Sequence, residues 1–223
     1  MSSHNFKQEI FDQFARIGKA VSNGRRLELL ELLAQGKHNV ETLADMCSMS
    51  VANTSQHLQN LRQSGLVNAS KIGQHVFYSL SSDRIVDLLA VLRELAEDNL
   101  NEVNRLIQQY LQVKDDLEPL PRADLVQRAE DGLVTIIDVR PGLEYDSGHI
   151  PGAINIPLSE LDKHLSEFPT DQEIVAYCRG PYCVLAFDAV KTLRDKGFQA
   201  RRLEDGYPEW KRSGLPVEEK MPG

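Results

Sequence analysis

The segment Asp115-Asp116-Leu117-Glu118-Pro119-Leu120-Pro121 constrains the fold most, because it separates two halves with different residue patterns. Its acidic residues and two prolines end any helix that reaches it. Before it, apolar residues recur at helical spacing, and after it β-branched strands alternate with helices. We therefore expect a multidomain protein with one domain at 1–112, a linker at 113–121 and a second domain at 122–223.

Charge and composition limit the classes of protein to which the chain can belong. The 223 residues are 41% hydrophobic and carry a net charge of −8. Residues 1–112 hold 11 basic and 12 acidic side chains, and 113–223 hold 14 and 21. Only the first half is therefore neutral enough for a local basic face to bind nucleic acid. No apolar run approaches the roughly 18–20 residues of a membrane span, and the start lacks the pattern of a signal peptide. With only three cysteines, we expect a cytoplasmic protein without a membrane partner.

The first half has the order of elements of a winged helix-turn-helix, and we expect it to be mainly α-helical. A turn at Cys47–Met49 separates the third and fourth helices, and a hairpin with Gly73 at its tip follows. The predicted elements are helices at Lys7–Val21, 24–36, 40–46 and Ser50–Ser64, strands at Leu66–Ser70 and His75–Leu80 around the turn Lys71–Gln74, and a long helix at Ser82–Leu111.

This order of elements predicts DNA binding. In such a domain one helix crosses the DNA backbone and the next enters the major groove. A polar helical face alone is more often only the hydrated side of a surface helix, so the prediction depends on the order of the elements. The candidate DNA contacts are the polar and basic side chains of the fourth helix and the hairpin: Asn53, Thr54, Ser55, Gln56, His57, Arg62, Lys71 and His75.

Three runs in this half, SQHL (Ser55–Leu58), LRQSGLV (Leu61–Val67) and KIGQHVFYSL (Lys71–Leu80), resemble the ArsR/SmtB family of winged-helix repressors. The resemblance covers roughly residues 8–110. It implies a homodimer formed by the first and last helices, through the apolar stripe Leu88–Tyr110 together with Phe11 and Phe14. Such a dimer binds an inverted repeat in double-stranded DNA.

The metal sites of that family are not expected here. Its metal sensors use paired cysteines near the third helix, or histidine and acidic residues on the last helix. This chain offers only Cys47 in the first region, and no histidine lies between His75 and His149. One thiol cannot form the four-ligand site that zinc prefers. We predict no metal and no cofactor, and interpret Cys47 as a small buried residue, with a redox or arsenite contact as the alternative.

The second half has the pattern of an α/β domain. Strands that alternate with helices predict a mainly parallel sheet covered on both faces. The predicted elements are a helix at Arg122–Glu130, strands at Thr135–Val139 and Glu173–Tyr177, a helix at Val184–Lys196 and a strand at Ala200–Leu203.

Cys178 is the candidate reactive residue of this half. It ends a predicted strand, and the loop Arg179–Cys183 leads into the next helix. Backbone amides, the helix dipole and Arg179 stabilise negative charge there, which lowers a cysteine pKa and makes the thiol nucleophilic. Gly180 allows the loop to curl tightly. The alternative is an inert cysteine buried at a strand end.

Four motifs resemble the rhodanese signature over roughly residues 118–217: Asp138-Val139-Arg140, Gly148–Leu158, Tyr177-Cys178-Arg179-Gly180 and Gly206–Trp210. The resemblance implies that Cys178 carries a persulfide from a small donor such as thiosulfate or polysulfide to an acceptor thiol. It also implies that Asp138 and Arg140 brace the loop, with Glu144 as a partner of Arg140. A phosphatase or arsenate reductase of the same fold is disfavoured, since Val184 stands where its arginine falls.

Cys183 leaves the function of this domain open. It either attacks a modified Cys178 and closes the loop, or it packs under the start of the helix. We expect a homodimeric transcriptional regulator, a repressor, that senses sulfane sulfur or an oxidant through Cys178. One alternative is an active sulfurtransferase attached to a DNA-binding domain, and a second is a repressor that responds to arsenic or another metalloid.

Overall fold

A computed structural model describes residues 3–112, 119–169 and 172–220. Contacts between residues group the chain into two compact units, Met1–Val91 and Leu92–Gly223. The predicted linker 113–121 lies mostly outside the described residues, so it stays a prediction. Within the described ranges, none of the helices combines the length and the apolar character needed to cross a membrane.

The first unit is the predicted winged helix-turn-helix. Its elements are α1 (Ser3–Val21), α2 (Gly24–Gln35), β1 (His38–Asn39), α3 (Val40–Met46), α4 (Val51–Gln63), β2 (Val67–Ile72), β3 (His75–Leu80) and the start of α5 (Arg84–Asn99). Side chains of Asn39 and Ser50 accept hydrogen bonds from backbone amides and so cap α3 and α4. Gly65, at φ +75°, ends the α4 segment in the left-handed region. The helices pack around a core of Leu29, Leu30, Leu43, Leu58 and Leu61.

The hairpin of β2 and β3 extends further than predicted. Ile72 pairs with His75, so the turn consists only of Gly73 and Gln74, and Lys71 belongs to β2. Gly73 has φ +61°, a conformation that two-residue hairpin turns require and glycine tolerates. β1 pairs with β3 and completes a three-stranded sheet in the order β1-β3-β2. This two-residue strand was not predicted.

The long helix predicted for Ser82–Leu111 is interrupted at Leu100. α5 ends at Asn99, α6 spans Asn101–Ile107, and a π-helical segment covers Gln108–Gln112. Leu100 has φ −116° and ψ 97°, which is an extended conformation. The apolar pattern continues across this residue, so spacing alone did not indicate the break.

The second unit also includes an α/β domain, as predicted. Its elements are α7 (Arg122–Glu130), β4 (Val134–Asp138), α8 (Gly142–Asp146), β5 (Ile154–Asn155), α9 (Leu161–His164), β6 (Glu173–Tyr177), α10 (Val184–Asp195), β7 (Ala200–Arg202) and α11 (Tyr207–Arg212), with 3-10 turns at Leu158–Glu160 and Leu165–Glu167. The strands form a parallel sheet in the order β5-β4-β6-β7.

Successive residues of β4 and β6 point to opposite faces of this sheet and enter two apolar cores. Ile137, Ile174 and Ala176 pack with α10 on one face. Ile136 and Val175 pack with Trp210 of α11 on the other. Both faces are therefore covered, and the loop after β6 starts at the carboxyl edge of the sheet, between two neighbouring strands.

Candidate functional site

The cysteine loop, Cys178–Cys183, connects β6 to α10. Cys178 is 1% exposed, at the end of a strand buried on both faces. Cys183 precedes the first residue of α10, and its amide donates to the carbonyl of Gly180 at 3.0 Å. The loop thus lies at the N-terminus of a 12-residue helix, where backbone amides and the helix dipole favour a negative charge.

The structure joins Cys178 and Cys183 in a disulfide, with their Cα atoms 6.1 Å apart. Cys183 also packs against the core beside α10, as the second alternative for this residue expects, and its attack on a modified Cys178 stays a prediction. A disulfide holds neither sulfur as a nucleophile, so this is an oxidised form of the loop. Cys47 is not part of this disulfide and lies buried at the end of α3.

Arg179 binds Glu144 in a forked arrangement. Its Nε lies 2.9 Å and 3.1 Å from the two carboxylate oxygens, and its terminal nitrogen lies 2.6 Å from one of them. Glu144 is completely buried, so the guanidinium neutralises a charge that would otherwise be costly there. Arg179 is a partner of Glu144 that the sequence did not predict, and the Glu144 charge is also one of the causes that raise the pKa of Arg140. The direct pair of Glu144 with Arg140 stays a prediction.

Arg140 instead pairs with Asp138, and both side chains are completely buried. The Arg140 guanidinium donates to both Asp138 carboxylate oxygens, at 2.6 to 3.1 Å, and to the carbonyl of Gly148 at 2.7 Å. Burial lowers the pKa of Arg140, but the Asp138 hydrogen bond and charge outweigh it, so the pKa is raised. The guanidinium also lies 4.4 Å from the Tyr207 ring centroid. The guanidinium also lies 5.6 Å from the ring centroid of Tyr177, the residue before Cys178, and the bracing of the loop by Asp138 and Arg140 stays a prediction.

Gly206 and Tyr207 form a second support that the sequence analysis did not identify. The Tyr207 amide donates to the carbonyl of Cys178 at 3.1 Å. A Cβ atom added to Gly206 would lie 2.4 Å from backbone atoms of both Arg179 and Gly180. The loop can therefore rest against α11 only because residue 206 has no side chain. The signal available in the sequence was the motif Gly206–Trp210 itself.

The candidate DNA contacts lie on α4 and the hairpin of the first unit. Five of them are exposed, namely Asn53, Gln56, Arg62, Lys71 and His75. Ser55 and His57 are half-buried. The exposed set combines hydrogen-bonding groups suited to base edges with cations suited to phosphates.

Thr54 is the exception among these candidates. Its side chain is completely buried, and its hydroxyl donates to the Ser50 carbonyl at 3.1 Å. The residue follows the helical period of Leu58 and Leu61 and so faces the core. Its inclusion among the DNA contacts is therefore corrected, because its position on α4 is structural.

Comparison with known proteins extends these observations. Residues 122–213 match the rhodanese-like domain family, and residues 23–69 match the arsR family of bacterial regulatory proteins. The HTH-type transcriptional regulator Rv0324 of Mycobacterium tuberculosis is 45% identical over 216 residues, which cover 97% of this chain and 95% of that protein. A sulfurtransferase of Allochromatium vinosum is 32% identical over 85 residues, 38% of this chain and 78% of that protein.

Among solved structures, the homodimeric winged helix-turn-helix DNA-binding domain Mb0332 of Mycobacterium bovis is 38% identical. The match covers 45% of this chain and 91% of that one, with a TM-score of 0.41. The extent of the match to Rv0324 and the two family matches agree with the fold and the motifs. The chain therefore belongs to the arsR family of DNA-binding transcriptional regulators and carries a rhodanese-like domain after its winged helix-turn-helix.

Proposed function

We propose that this regulator is a homodimeric repressor whose rhodanese-like domain senses sulfane sulfur or an oxidant through Cys178. The observation that carries the proposal is the bond between Cys178 and Cys183 within one loop. A second thiol that reaches the first makes a reversible switch, whereas sulfur transfer needs only one thiol. The proposed partners are an inverted-repeat operator, a second copy of the chain, a small sulfur donor and a thiol acceptor that reopens the loop.

The chemistry of the switch balances with a polysulfide as the oxidant. The Cys178 thiolate attacks a sulfane sulfur, an S–S bond of the polysulfide breaks, and a Cys178 persulfide and a shorter polysulfide result. The Cys183 thiolate then attacks the Cys178 sulfur, and hydrosulfide leaves. Two thiols are oxidised to a disulfide and one sulfane sulfur is reduced to sulfide. With peroxide, the intermediate is a sulfenic acid and water leaves.

Exposed apolar side chains support the proposed homodimer. Phe11 and Phe14 of α1 are 55% and 60% exposed in the single chain. Leu95 of α5 and Leu106 and Tyr110 beyond it are also more than half exposed. Large apolar side chains grouped on helices mark surfaces that another protein covers, and a second copy of this chain covers them symmetrically.

An active sulfurtransferase is the second candidate function. The match of residues 122–213 to rhodanese-like domains and the identity to a sulfurtransferase favour it. In that case Cys178 passes its persulfide sulfur to an external thiol, and DNA affinity does not depend on the state of the loop. A metalloid-responsive function is not favoured, because the Cys47 side chain is only 2% exposed.

DNA binding by the reduced and the oxidised protein tests the proposal. We expect polysulfide treatment to change wild-type affinity for the protein's own upstream DNA by roughly 5- to 150-fold at fixed salt. Cys178→Ser should bind equally before and after treatment. Equal affinities in all four samples would exclude the sensing function. Steady transfer of sulfur from thiosulfate or polysulfide to an added thiol would then favour the enzyme.

A further inference from the structure

Helix α5 belongs to both compact units. Its first turns, with Ile85 and Val86 buried, lie in the first unit, and its end from Leu92 to Asn99 lies in the second. A continuous helix is stiff over its 16 residues, so a displacement at one end reaches the other. The contacts that this end makes inside the second unit therefore matter for regulation.

The first of these contacts joins α5 to the cysteine loop. The Tyr182 hydroxyl donates a hydrogen bond to the Glu97 carboxylate. The guanidinium of Arg93, one turn earlier, lies 5.7 Å from the centroid of the Tyr182 ring. Burial and the Glu97 carboxylate both raise the pKa of Tyr182, so the phenol stays protonated and can donate this hydrogen bond. Tyr182 lies in the chain between the two bonded cysteines.

The second contact joins α5 to the support of the loop. Arg93 pairs with Glu209 of α11 at 3.1 Å, and the two side chains are only 20% and 13% exposed. Glu209 also accepts a hydrogen bond from the amide of Gly206, at 3.2 Å. Gly206 in turn lies against the backbone of the cysteine loop. The end of α5 thus holds the loop directly and through its support.

Space for movement exists beside this contact. A cavity of about 210 Å³ is lined by Glu97, Pro181, Tyr182 and Phe187, among others. The disulfide fixes the ends of the segment that contains Pro181 and Tyr182. When it is reduced, that constraint is lost, and the cavity leaves space beside the Tyr182 side chain.

We infer that Arg93 and Glu97 are positioning residues for the cysteine loop and that α5 receives the thiol state of the loop through Tyr182. The inference rests on the proposed sensing function and specifies its route. In the disulfide form Tyr182 holds Glu97, and in the dithiol or persulfide form the loop releases it. The two states of the loop therefore become two environments of one helix that continues into the DNA-binding unit.

Two conservative variants test the route. Tyr182→Phe removes only the hydroxyl, and Glu97→Gln removes only the charge. Glu94→Gln is the matched control, since Glu94 is an exposed carboxylate on the same helix. For each full-length protein we would measure the extent of disulfide formation by alkylation and mass spectrometry, and the ratio of DNA affinities before and after polysulfide treatment.

We expect all four proteins to form the disulfide, while the affinity ratio falls from at least about fivefold to near one only in Tyr182→Phe and Glu97→Gln. Reduction of the disulfide by an added thiol should also become roughly two- to tenfold faster in these variants, the range expected for the loss of one hydrogen bond that holds the disulfide form of the loop.

The results distinguish the route through Tyr182 and Glu97 from the sensing function itself. A wild-type ratio that persists in both variants, with an unchanged rate of disulfide reduction, would overturn the route and leave the sensing function intact. A wild-type ratio of one would overturn the sensing function. In that case faster disulfide reduction in Glu97→Gln but not in Glu94→Gln would still support Glu97 as a positioning residue, and an unchanged rate would overturn that too.

Discussion

Two ion pairs with buried carboxylates hold the residues around the cysteine loop. Asp138 and Glu144 are completely buried, and each is paired with an arginine, Arg140 and Arg179 respectively. A buried carboxylate is tolerated only while its partner remains, because desolvation of an unpaired charge is costly. We therefore expect these residues to fix the backbone around the loop and not to react.

Removal of one partner should reveal this dependence. We expect Arg140→Ala to lower the free energy of unfolding by about 3–5 kcal/mol, since it leaves Asp138 buried and unpaired. Arg128→Ala breaks a pair with Glu173 in which Arg128 is 40% exposed, and it should cost about 1 kcal/mol or less. Urea unfolding of both variants measures the difference. Equal losses would contradict the bracing role of Arg140.

Gly206 provides a test of the close approach between α11 and the loop. In Gly206→Ala the new methyl group would overlap backbone atoms of Arg179 and Gly180, so the loop must shift. We expect slower loss of the Cys178 thiol after polysulfide treatment, measured by alkylation and mass spectrometry. Gly142→Ala is the control, because its Cβ would meet its nearest neighbour at an ordinary 3.5 Å. Equal rates in Gly206→Ala and Gly142→Ala would show that the close approach of α11 to the loop does not affect the reactivity of Cys178.

Single residues also show how far sequence reasoning reached. The sequence allowed a bond between Cys178 and Cys183, since both lie in one short loop, but it left packing under α10 as an equal alternative. The pairing of Glu144 with Arg179 was not predicted, because it depends on a tertiary contact across 35 residues. Thr54 was misplaced because a threonine is polar by type, whereas its burial is set by its position on the helical face.

At the scale of elements, length decided what could be predicted. α7 and β6 were predicted with the bounds that the structure has, since their patterns extend over several residues. β1 and β5 have two residues each and exist because a neighbouring strand pairs with them. Such strands leave no periodic signal, and neither does the single extended residue Leu100 that divides α5 from α6.

The hairpin of β2 and β3 allows a prediction about DNA binding at the same scale. Lys71 is exposed on β2, where its ammonium group can neutralise one phosphate. We expect Lys71→Ala to weaken binding to all DNA sequences alike and to reduce the slope of log affinity against log salt by about one. Lys163→Ala, which removes an exposed lysine of α9, should leave the slope unchanged. A loss of sequence preference without a change in slope would indicate base contact instead.

At the scale of the whole molecule, the second thiol decides between a switch and an enzyme. An enzyme must release its sulfur to an acceptor and return to the thiol, so an internal thiol that captures Cys178 slows it. A sensor needs a state that persists until a reductant removes it. The same loop chemistry therefore has opposite consequences for turnover and for regulation of the attached DNA-binding unit.

Cys183→Ser separates these consequences. Without the second thiol the loop cannot close, so we expect polysulfide to leave a Cys178 persulfide, seen as a mass increase of about 32 Da for one added sulfur. Sulfur transfer to an added thiol should be faster than in the wild type, and the change in DNA affinity caused by the disulfide should disappear. Cys47→Ser, which alters the buried thiol of α3, should retain the wild-type response. If Cys183→Ser still changes its DNA affinity as the wild type does, the persulfide itself is the signal, because the disulfide is then absent while the regulation remains.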